Sequence, residues 1–153
     1  MTEDIVYLTK EMFLHGCAFL DCANYFMSIT NAKDAFIKRY HHPVIVNAAF
    51  SCEIFLKTLG MLHNGKLNKK HTLHELYSDL SNEDKEFLKT ATDGYNSNLS
   101  FDDLLKNISD AFNIWRYSYE KDQIKLNVSY LIFLSEQLRN LCEMQIAERH
   151  TNG

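Results

Sequence analysis

The stretch PVIVNAAFSCEIFLKTLGMLHNG, residues 43–65, begins with the chain's single proline and ends with a glycine. Proline suits the first position of a helix, where its missing N–H is not needed, and glycine suits the residue just after the last turn. We therefore expect a helix over about residues 43–63, capped at Gly65. Its apolar residues form two faces: Ile45, Ala48, Ala49, Cys52, Phe55, Leu56 and Leu59 on one, and Val46, Phe50, Ile54 and Met61 on the other. Such a helix is expected at the centre of a bundle or at a subunit interface.

Helical spacing of apolar residues continues on both sides of this segment, over about residues 3–31, 101–119 and 126–149. Three pairs have the spacing that caps the start of a helix: Thr72 with Glu75, Ser81 with Asp84, and Ser100 with Asp103. The sequence predicts an all-α fold, an antiparallel (up-and-down) bundle of four long helices with one or two short helices. We expect a single domain over residues 1–153, with a frayed tail at about 149–153.

Composition narrows the classes of function. The 153 residues are 46% hydrophobic and 24% charged, which is typical of a soluble globular domain. The net charge of −4 argues against general binding to nucleic-acid backbones. The four cysteines lack zinc-type pairing and have apolar neighbours, which favours reduced, inert core thiols. With neither a signal peptide nor a long apolar span, we expect a cytoplasmic protein without membrane contact or cofactor.

Glu53 and Lys57 are the first candidate site residues. They lie four positions apart in the predicted 43–63 helix, with Glu53 at the edge of the apolar stripe and Lys57 further out. They form either an exposed ion pair between successive turns, or a polar pocket in which the carboxylate of Glu53 needs a partner. The sequence leaves both interpretations open.

Arg116 lies within DAFNIWRYSYE, residues 110–120, between Trp115 and Tyr117. Its guanidinium is able to hold a phosphate, or to pair with Glu120 one turn later. The pair within the helix is the simpler explanation.

His71 belongs to the most basic part of the chain, together with Lys66, Lys69 and Lys70. This loop precedes a capped helix and is where an anionic ligand or RNA is expected to dock. His71 and His74 together would supply half of a metal site, but no second close pair of histidines or cysteines accompanies them, so no metal site is predicted.

The segment AAFSCEIFLKTLGMLHNGKLNKKHTLHEL, beginning at Ala48, resembles the middle of the HEPN family (higher eukaryotes and prokaryotes nucleotide-binding). In that family a helix with small residues, a Glu and an L-K-x-L ending leads through a loop to an H-x-L motif. The matching positions here are Ala48, Ala49, Glu53, Leu56, Lys57, Leu59, His71 and Leu73. Arg116 and Tyr117 are similar to an "RY" segment of family members, so the resemblance covers about residues 43–120.

The resemblance implies an antiparallel bundle that is commonly dimeric. Family members include RNA-cleaving toxins, phage-defence effectors and non-catalytic binding modules. The ribonucleases carry an Arg followed four to six residues later by a His. Here those positions after Arg116 hold Glu120, Lys121 and Asp122, so the ribonuclease pattern is missing.

The leading hypothesis is therefore a non-catalytic or catalytically divergent HEPN-like module, acting in phage defence or a toxin–antitoxin system. It binds a nucleotide, RNA or a protein partner. The expected pocket contains Glu53, His71 and Arg116, with Lys57, Tyr117 and Glu120 beside it.

Two alternatives remain. One is a metal-independent endoribonuclease that uses Arg116 with His71. The other is a homodimeric scaffold without a ligand. In either case we expect dimerisation through the second face of the 43–63 helix, at Phe50, Ile54 and Met61.

Overall fold

The computed structural model describes residues 3–30, 37–95, 100–109 and 127–151. Within these ranges the chain contains six helices and no strand, which confirms the prediction of an all-α fold. The helices are α1 (Glu3–Thr30), α2 (Ile37–Asn64), α3 (Leu73–Ser78), α4 (Asn82–Asp93), α5 (Phe101–Ser109) and α6 (Val128–Thr151). The second half of the predicted 101–119 helix lies outside the described residues.

The capping patterns correctly mark where α3, α4 and α5 begin. Each capping hydroxyl accepts the backbone N–H three residues further on: Thr72 from Glu75 at 3.4 Å, Ser81 from Asp84 at 3.1 Å, and Ser100 from Asp103 at 3.2 Å. Gly65 ends α2 as predicted, with a φ of 64° and its N–H donating to the carbonyl of Met61 at 2.9 Å. These signals are local, which is why the sequence reveals them.

One predicted helix end is wrong. Helix α2 begins at Ile37, so Pro43 lies inside the helix and is not its first residue. A proline at this position removes one backbone hydrogen bond near the start of the helix, but the helix continues on both sides of it. At the other end of the chain, α6 runs to Thr151.

Side-chain contacts define the direction of the long helices. Phe13 of α1 meets Phe55 of α2, with ring centroids 5.9 Å apart, and Phe19 stacks on Phe50 at 5.2 Å. As the residue number of the contact increases along α1, that of its partner decreases along α2. These two helices are therefore antiparallel.

Helix α6 runs in the same direction as α2. The hydroxyl of Ser135 donates to that of Ser51 at 2.7 Å, and further along both helices Cys142 Sγ contacts the carbonyl of Phe55 at 3.4 Å. Because both residue numbers rise together, α2 and α6 are parallel, and both pack on α1.

Helix α2 lies in the core of the described elements: it contacts α1, α3 and α6, and many of its residues are buried. All residues of its predicted first face are buried. On its second face Met61 is also buried, with 6% exposure, and Phe50 stacks on α1. Part of the face expected to bind a partner is therefore filled within the chain.

The central position of α2 also explains its apolar character. Among the described residues one stretch, His41–Asn64, is long and apolar enough to cross a membrane. In the fold, 72% of the most apolar part of this stretch is buried inside the protein. The core helix of a soluble protein has the same length and composition, so this stretch is weak evidence for a membrane span.

Candidate functional site

Glu53 is a mostly buried carboxylate with two cationic partners. Its side chain is 11% exposed, and a carboxylate at this depth needs compensation. One oxygen, Oε1, lies 2.7 Å from Nζ of Lys57 and 2.9 Å from Nδ1 of His71. The prediction of an exposed ion pair is wrong in one respect: Glu53 does pair with Lys57 one turn along, but both side chains are mostly buried. Glu53 also meets a partner from another segment, as the pocket interpretation requires.

The chain brings His71 to Glu53 by returning along α2. The loop leaves the helix at Gly65 and reaches Thr72, which caps α3. Halfway along, the loop is held by Asp79, which accepts from Asn68 at 2.8 Å and from Lys70 at 2.9 Å. These contacts tie the loop to the end of α3, and the contact with Glu53 places an exposed imidazole beside a buried carboxylate.

The Glu53 contact determines which nitrogen of His71 is available. An ionised carboxylate only accepts hydrogen bonds, so the Nδ1 of His71 carries the proton. The imidazole is 77% exposed, and none of the hydrogen bonds among the described residues involves its Nε2. Neutral His71 therefore offers Nε2 as a base, and protonated His71 offers it as a charged donor.

The two described contacts of Glu53 use the same carboxylate oxygen. Within the described part of the chain both contacts of Glu53 are made through Oε1, and Oε2 accepts no hydrogen bond. Lys57 balances the negative charge, since its side chain is 13% exposed and its ammonium lies against the same carboxylate. Among the described residues, the site thus combines an exposed imidazole with a mostly buried carboxylate whose charge is balanced by Lys57.

The neighbouring basic residues differ in how available they are. Lys70 is paired with Asp79, and the hydrogen bond between them raises the pKa of Lys70 and lowers that of Asp79. Lys66 and Lys69 are exposed, and neither forms an ion pair within the described residues. The positive charge available to a ligand near His71 therefore comes from Lys66 and Lys69.

A second pair of histidine and carboxylate lies at the far end of α2. Nε2 of His63 is 2.7 Å from Oδ2 of Asp84, which is 1% exposed. The other oxygen of Asp84 accepts from Nε2 of Gln145 at 3.3 Å. This pair joins α2, α4 and α6, and sequence reasoning missed it. The signal was Asp84 itself, a charged residue on the buried stripe that continues with Leu88 and Thr92.

His74 does not join His71. It lines a separate open pocket of about 690 Å³ with Thr72, Asp102, Asp103, Lys106 and Ser109. Its backbone N–H donates to the hydroxyl of Ser109 at 2.9 Å. Throughout the described ranges, no group of three or more His, Cys, Asp or Glu side chains is arranged to hold a metal ion.

Cys52 and Cys142 are core thiols, as predicted, but Cys22 is exposed and Cys17 half-buried, so the prediction of four core thiols is wrong for these two. Burial raises the pKa of Cys52 to about 12 and that of Cys142 well above its usual value. Their sulfur atoms contact the carbonyls of Leu131 and Phe55 in the core. A thiol held in this way stays protonated and does not act as a nucleophile at neutral pH.

The remaining predicted site residues, Arg116, Tyr117 and Glu120, lie outside the described residues. Of the predicted pocket, the structure brings together Glu53, Lys57 and His71.

Comparison with known proteins finds no matching family model, no matching curated protein and no matching solved structure.

Proposed function

We propose that this protein is a HEPN-like helical module, non-catalytic or catalytically divergent, that binds a nucleotide or an RNA end through the phosphate. The site contains Glu53, Lys57 and His71. The observation that carries the proposal is the contact between Glu53 and His71, in which a carboxylate that is 11% exposed holds an imidazole that is 77% exposed. A structural ion pair has no need to leave its imidazole so open to solvent.

The electrostatics of the site support an anionic ligand. Protonated His71 donates a charged hydrogen bond from Nε2, and such bonds to phosphate are stronger than neutral ones. Lys66 and Lys69 of the same loop add positive charge. The charge of Glu53 is balanced by Lys57 at 2.7 Å, which reduces its repulsion of phosphate.

Three residues of the later predicted helix complete the proposed site. Arg116 supplies a guanidinium for the phosphate, with Tyr117 and Glu120 beside it. We expect Arg116→Ala to abolish ligand binding and to leave the melting temperature nearly unchanged. A large drop in melting temperature would instead identify Arg116 as a structural residue.

Titration of a fluorescein-labelled single-stranded RNA with the purified protein, followed by anisotropy, tests the proposal. We expect His71→Ala to weaken binding about tenfold, because it removes one charge-assisted hydrogen bond. His74→Ala is the matched control, three residues away and in a different pocket, and should bind as the wild type does. Equal affinities of all three proteins, or no binding by the wild type, would contradict the proposal.

The same contact favours a second candidate function, a metal-independent endoribonuclease. A carboxylate that holds Nδ1–H keeps Nε2 of His71 ready to accept a proton, which is what a general base requires. Arg116 would then stabilise the charge of the transition state. RNA incubated with the protein in EDTA should be cut, and His71→Ala should prevent it. Either no cleavage, or cleavage that survives this substitution, removes the ribonuclease candidate.

For the fold, we propose the full antiparallel bundle of four long helices. The support is the parallel arrangement of α2 and α6, shown by the contacts of Ser51 with Ser135 and of Phe55 with Cys142. Two parallel helices in an up-and-down bundle need a helix of opposite direction between them in the chain. The segment that begins with α5 provides it.

We also propose a homodimer through the second face of α2. Because Met61 is buried within the chain, the interface would depend on Phe50 and Ile54, which are both half-buried. Mass measurement in solution should give a dimer, and Ile54→Asp should give a monomer. A wild-type monomer would contradict the proposed interface.

A dimer that binds no RNA would favour the scaffold hypothesis, in which another protein is the partner. From the resemblance we infer a setting in phage defence or a toxin–antitoxin system.

A further inference from the structure

Helix α1 carries most of the exposed large apolar side chains. Six such side chains are exposed within the described ranges, and four of them belong to this helix: Tyr7, Leu8, Leu14 and Tyr25. Tyr7 is 67% exposed, Leu14 57% and Tyr25 64%. Single apolar residues scattered over a surface need no explanation, but a contiguous group of them marks an interaction surface.

Three of these residues follow, together with Ala18, the spacing of a coiled-coil seam. Tyr7, Leu14, Ala18 and Tyr25 are separated by seven, four and seven residues, and all four are exposed. Intervals of four and seven residues keep side chains on one side of a helix, where a second helix packs against them. We call this side of the helix the α1 seam.

The bundle holds α1 by its other side. Thr9, Gly16, Leu20 and Ala23 are buried, and the helix packs on α2 and α6. These four residues are also spaced by seven, four and three, so the helix has two apolar sides. Packing among the described residues accounts for one of them and not for the α1 seam.

Two acidic residues complete the α1 seam. Glu11 is four residues after Tyr7 and Asp21 is four residues before Tyr25, so both take heptad positions between the tyrosines. Within the described ranges, no ion pair involves either carboxylate. A charge in such a seam selects the partner, because burying it without an opposite charge is costly. The partner therefore needs a basic residue opposite each acid.

These charges argue against two other occupants. A second copy in the antiparallel direction, with Tyr7 against Tyr25, would place Glu11 of each helix opposite Asp21 of the other. A parallel copy would set each acid against itself. A helix that lies on an anionic membrane is rich in lysine and arginine, whereas Lys10 is the only lysine or arginine of α1.

We propose that the α1 seam is a docking site for an amphipathic helix of another protein, one with apolar residues at heptad spacing and a lysine or arginine opposite Glu11 and Asp21. Along the seam the positions are apolar, acidic, apolar, apolar, acidic and apolar, an order that reads the same from both ends. The partner helix therefore fits in either direction. The site is separate from Glu53 and His71, and it does not depend on the proposed function.

Titration of a labelled helical peptide with the full-length protein, followed by fluorescence anisotropy, tests the site. The seam positions of the probe peptide read Leu, Lys, Leu, Leu, Lys, Leu, and a second peptide has Glu in place of both Lys. We expect the wild type to bind the lysine peptide about tenfold more tightly. Leu14→Gln should lower that affinity about tenfold, because it removes one buried apolar contact. Leu67→Gln changes a leucine of similar exposure outside α1 and should leave the affinity unchanged.

Charge reversal tests the choice of partner. In the double variant Glu11→Lys with Asp21→Lys the preference should invert, so that the glutamate peptide binds more tightly. If circular dichroism shows that the double variant does not fold, Asp21→Lys alone, at an exposed position, should reduce the preference for the lysine peptide.

Four results overturn the docking site. They are no binding of the lysine peptide by the wild type, equal wild-type affinity for the two peptides, equal affinity of Leu14→Gln and Leu67→Gln, and an unchanged preference after charge reversal. A wild-type dimer that becomes a monomer in Leu14→Gln would also overturn it, because a second copy would then occupy the seam. So would binding to phosphatidylserine vesicles that Leu14→Gln abolishes. RNA affinity is measured separately, so each of these results leaves the proposed function standing.

Discussion

His63 with Asp84 and His71 with Glu53 are two pairs of the same chemistry in different surroundings. The atoms in contact are 2.7 Å apart in the first pair and 2.9 Å apart in the second. Asp84 is 1% exposed and His63 25%, but His71 is 77% exposed although Glu53 is nearly buried. Contact geometry alone therefore does not distinguish a structural pair from a functional one. We propose that the exposure of the imidazole does, because only an accessible nitrogen is able to meet a ligand.

We call His63 with Asp84 the closed pair and His71 with Glu53 the open pair. The closed pair joins three helices. His63 is in the last turn of α2 and Asp84 is in the first turn of α4, so each charge faces the favourable end of its helix dipole. Gln145 of α6 donates to the same carboxylate. The open pair joins α2 only to a loop. We therefore expect variants of the closed pair to lower stability, and variants of the open pair to lower binding.

His63→Ala should have the largest effect on stability. It leaves the carboxylate of Asp84 buried without a positive partner, which costs about 3 kcal/mol of unfolding free energy. Urea denaturation followed by circular dichroism measures the loss. His15→Ala on the exposed side of α1 is the control and should stay within about 0.5 kcal/mol of the wild type. An equally small loss for His63→Ala would place the pair among weak surface contacts.

Asp84→Ala should cost less, about 2 kcal/mol, because His63 is partly exposed and water solvates it once the carboxylate is gone. The same denaturation experiment compares it with Glu83→Ala, an exposed residue of the same helical turn, which should change stability by less than about 0.5 kcal/mol. Loss of more stability in Asp84→Ala than in His63→Ala would show that burial of the carboxylate is not the main cost.

Glu53→Ala should cost about 1 kcal/mol, since it leaves the mostly buried ammonium of Lys57 without a partner. It should also weaken RNA binding, because nothing then orients the imidazole of His71. Glu53→Gln keeps an acceptor oxygen at the same place and should restore both properties in large part. Normal RNA affinity in Glu53→Ala would mean that the contact with His71 has no role in binding.

The ion pair of Lys70 with Asp79 should have the smallest effect. Both side chains are largely exposed to solvent, where water and salt screen the attraction. We expect Lys70→Ala to leave the urea midpoint unchanged within error. A clear shift of the midpoint would mean that the loop over α2 is part of the cooperative fold.

Local signals made much of the fold predictable from the sequence. Thr72, Ser81, Ser100 and Gly65 mark helix ends because a cap involves only residues within one turn. Pro43 misled the prediction because a local signal does not always decide where a helix begins. The cost of the proline is confined to one turn, and the rest of α2 outweighs it. The direction of α6 relative to α2 depends on contacts between distant positions, which spacing along the chain does not reveal.

The candidate site was predictable only in part. Glu53 was marked by its place at the edge of an apolar stripe, and His71 by the resemblance and the basic loop. Their contact joins positions 18 residues apart, and it depends on how the loop returns along α2. The pair of His63 with Asp84 was missed because the two residues belong to different helices, and only the packing of α4 brings them together.

RNA affinity and unfolding free energy measured side by side for His71→Ala and His63→Ala test the account most directly, in conditions where both variants are folded. The account predicts a crossover. His71→Ala should lose about tenfold in affinity and less than about 0.5 kcal/mol in stability, and His63→Ala about 3 kcal/mol in stability with affinity unchanged. A His71→Ala protein that loses stability as His63→Ala does, and binds RNA as the wild type does, would contradict it.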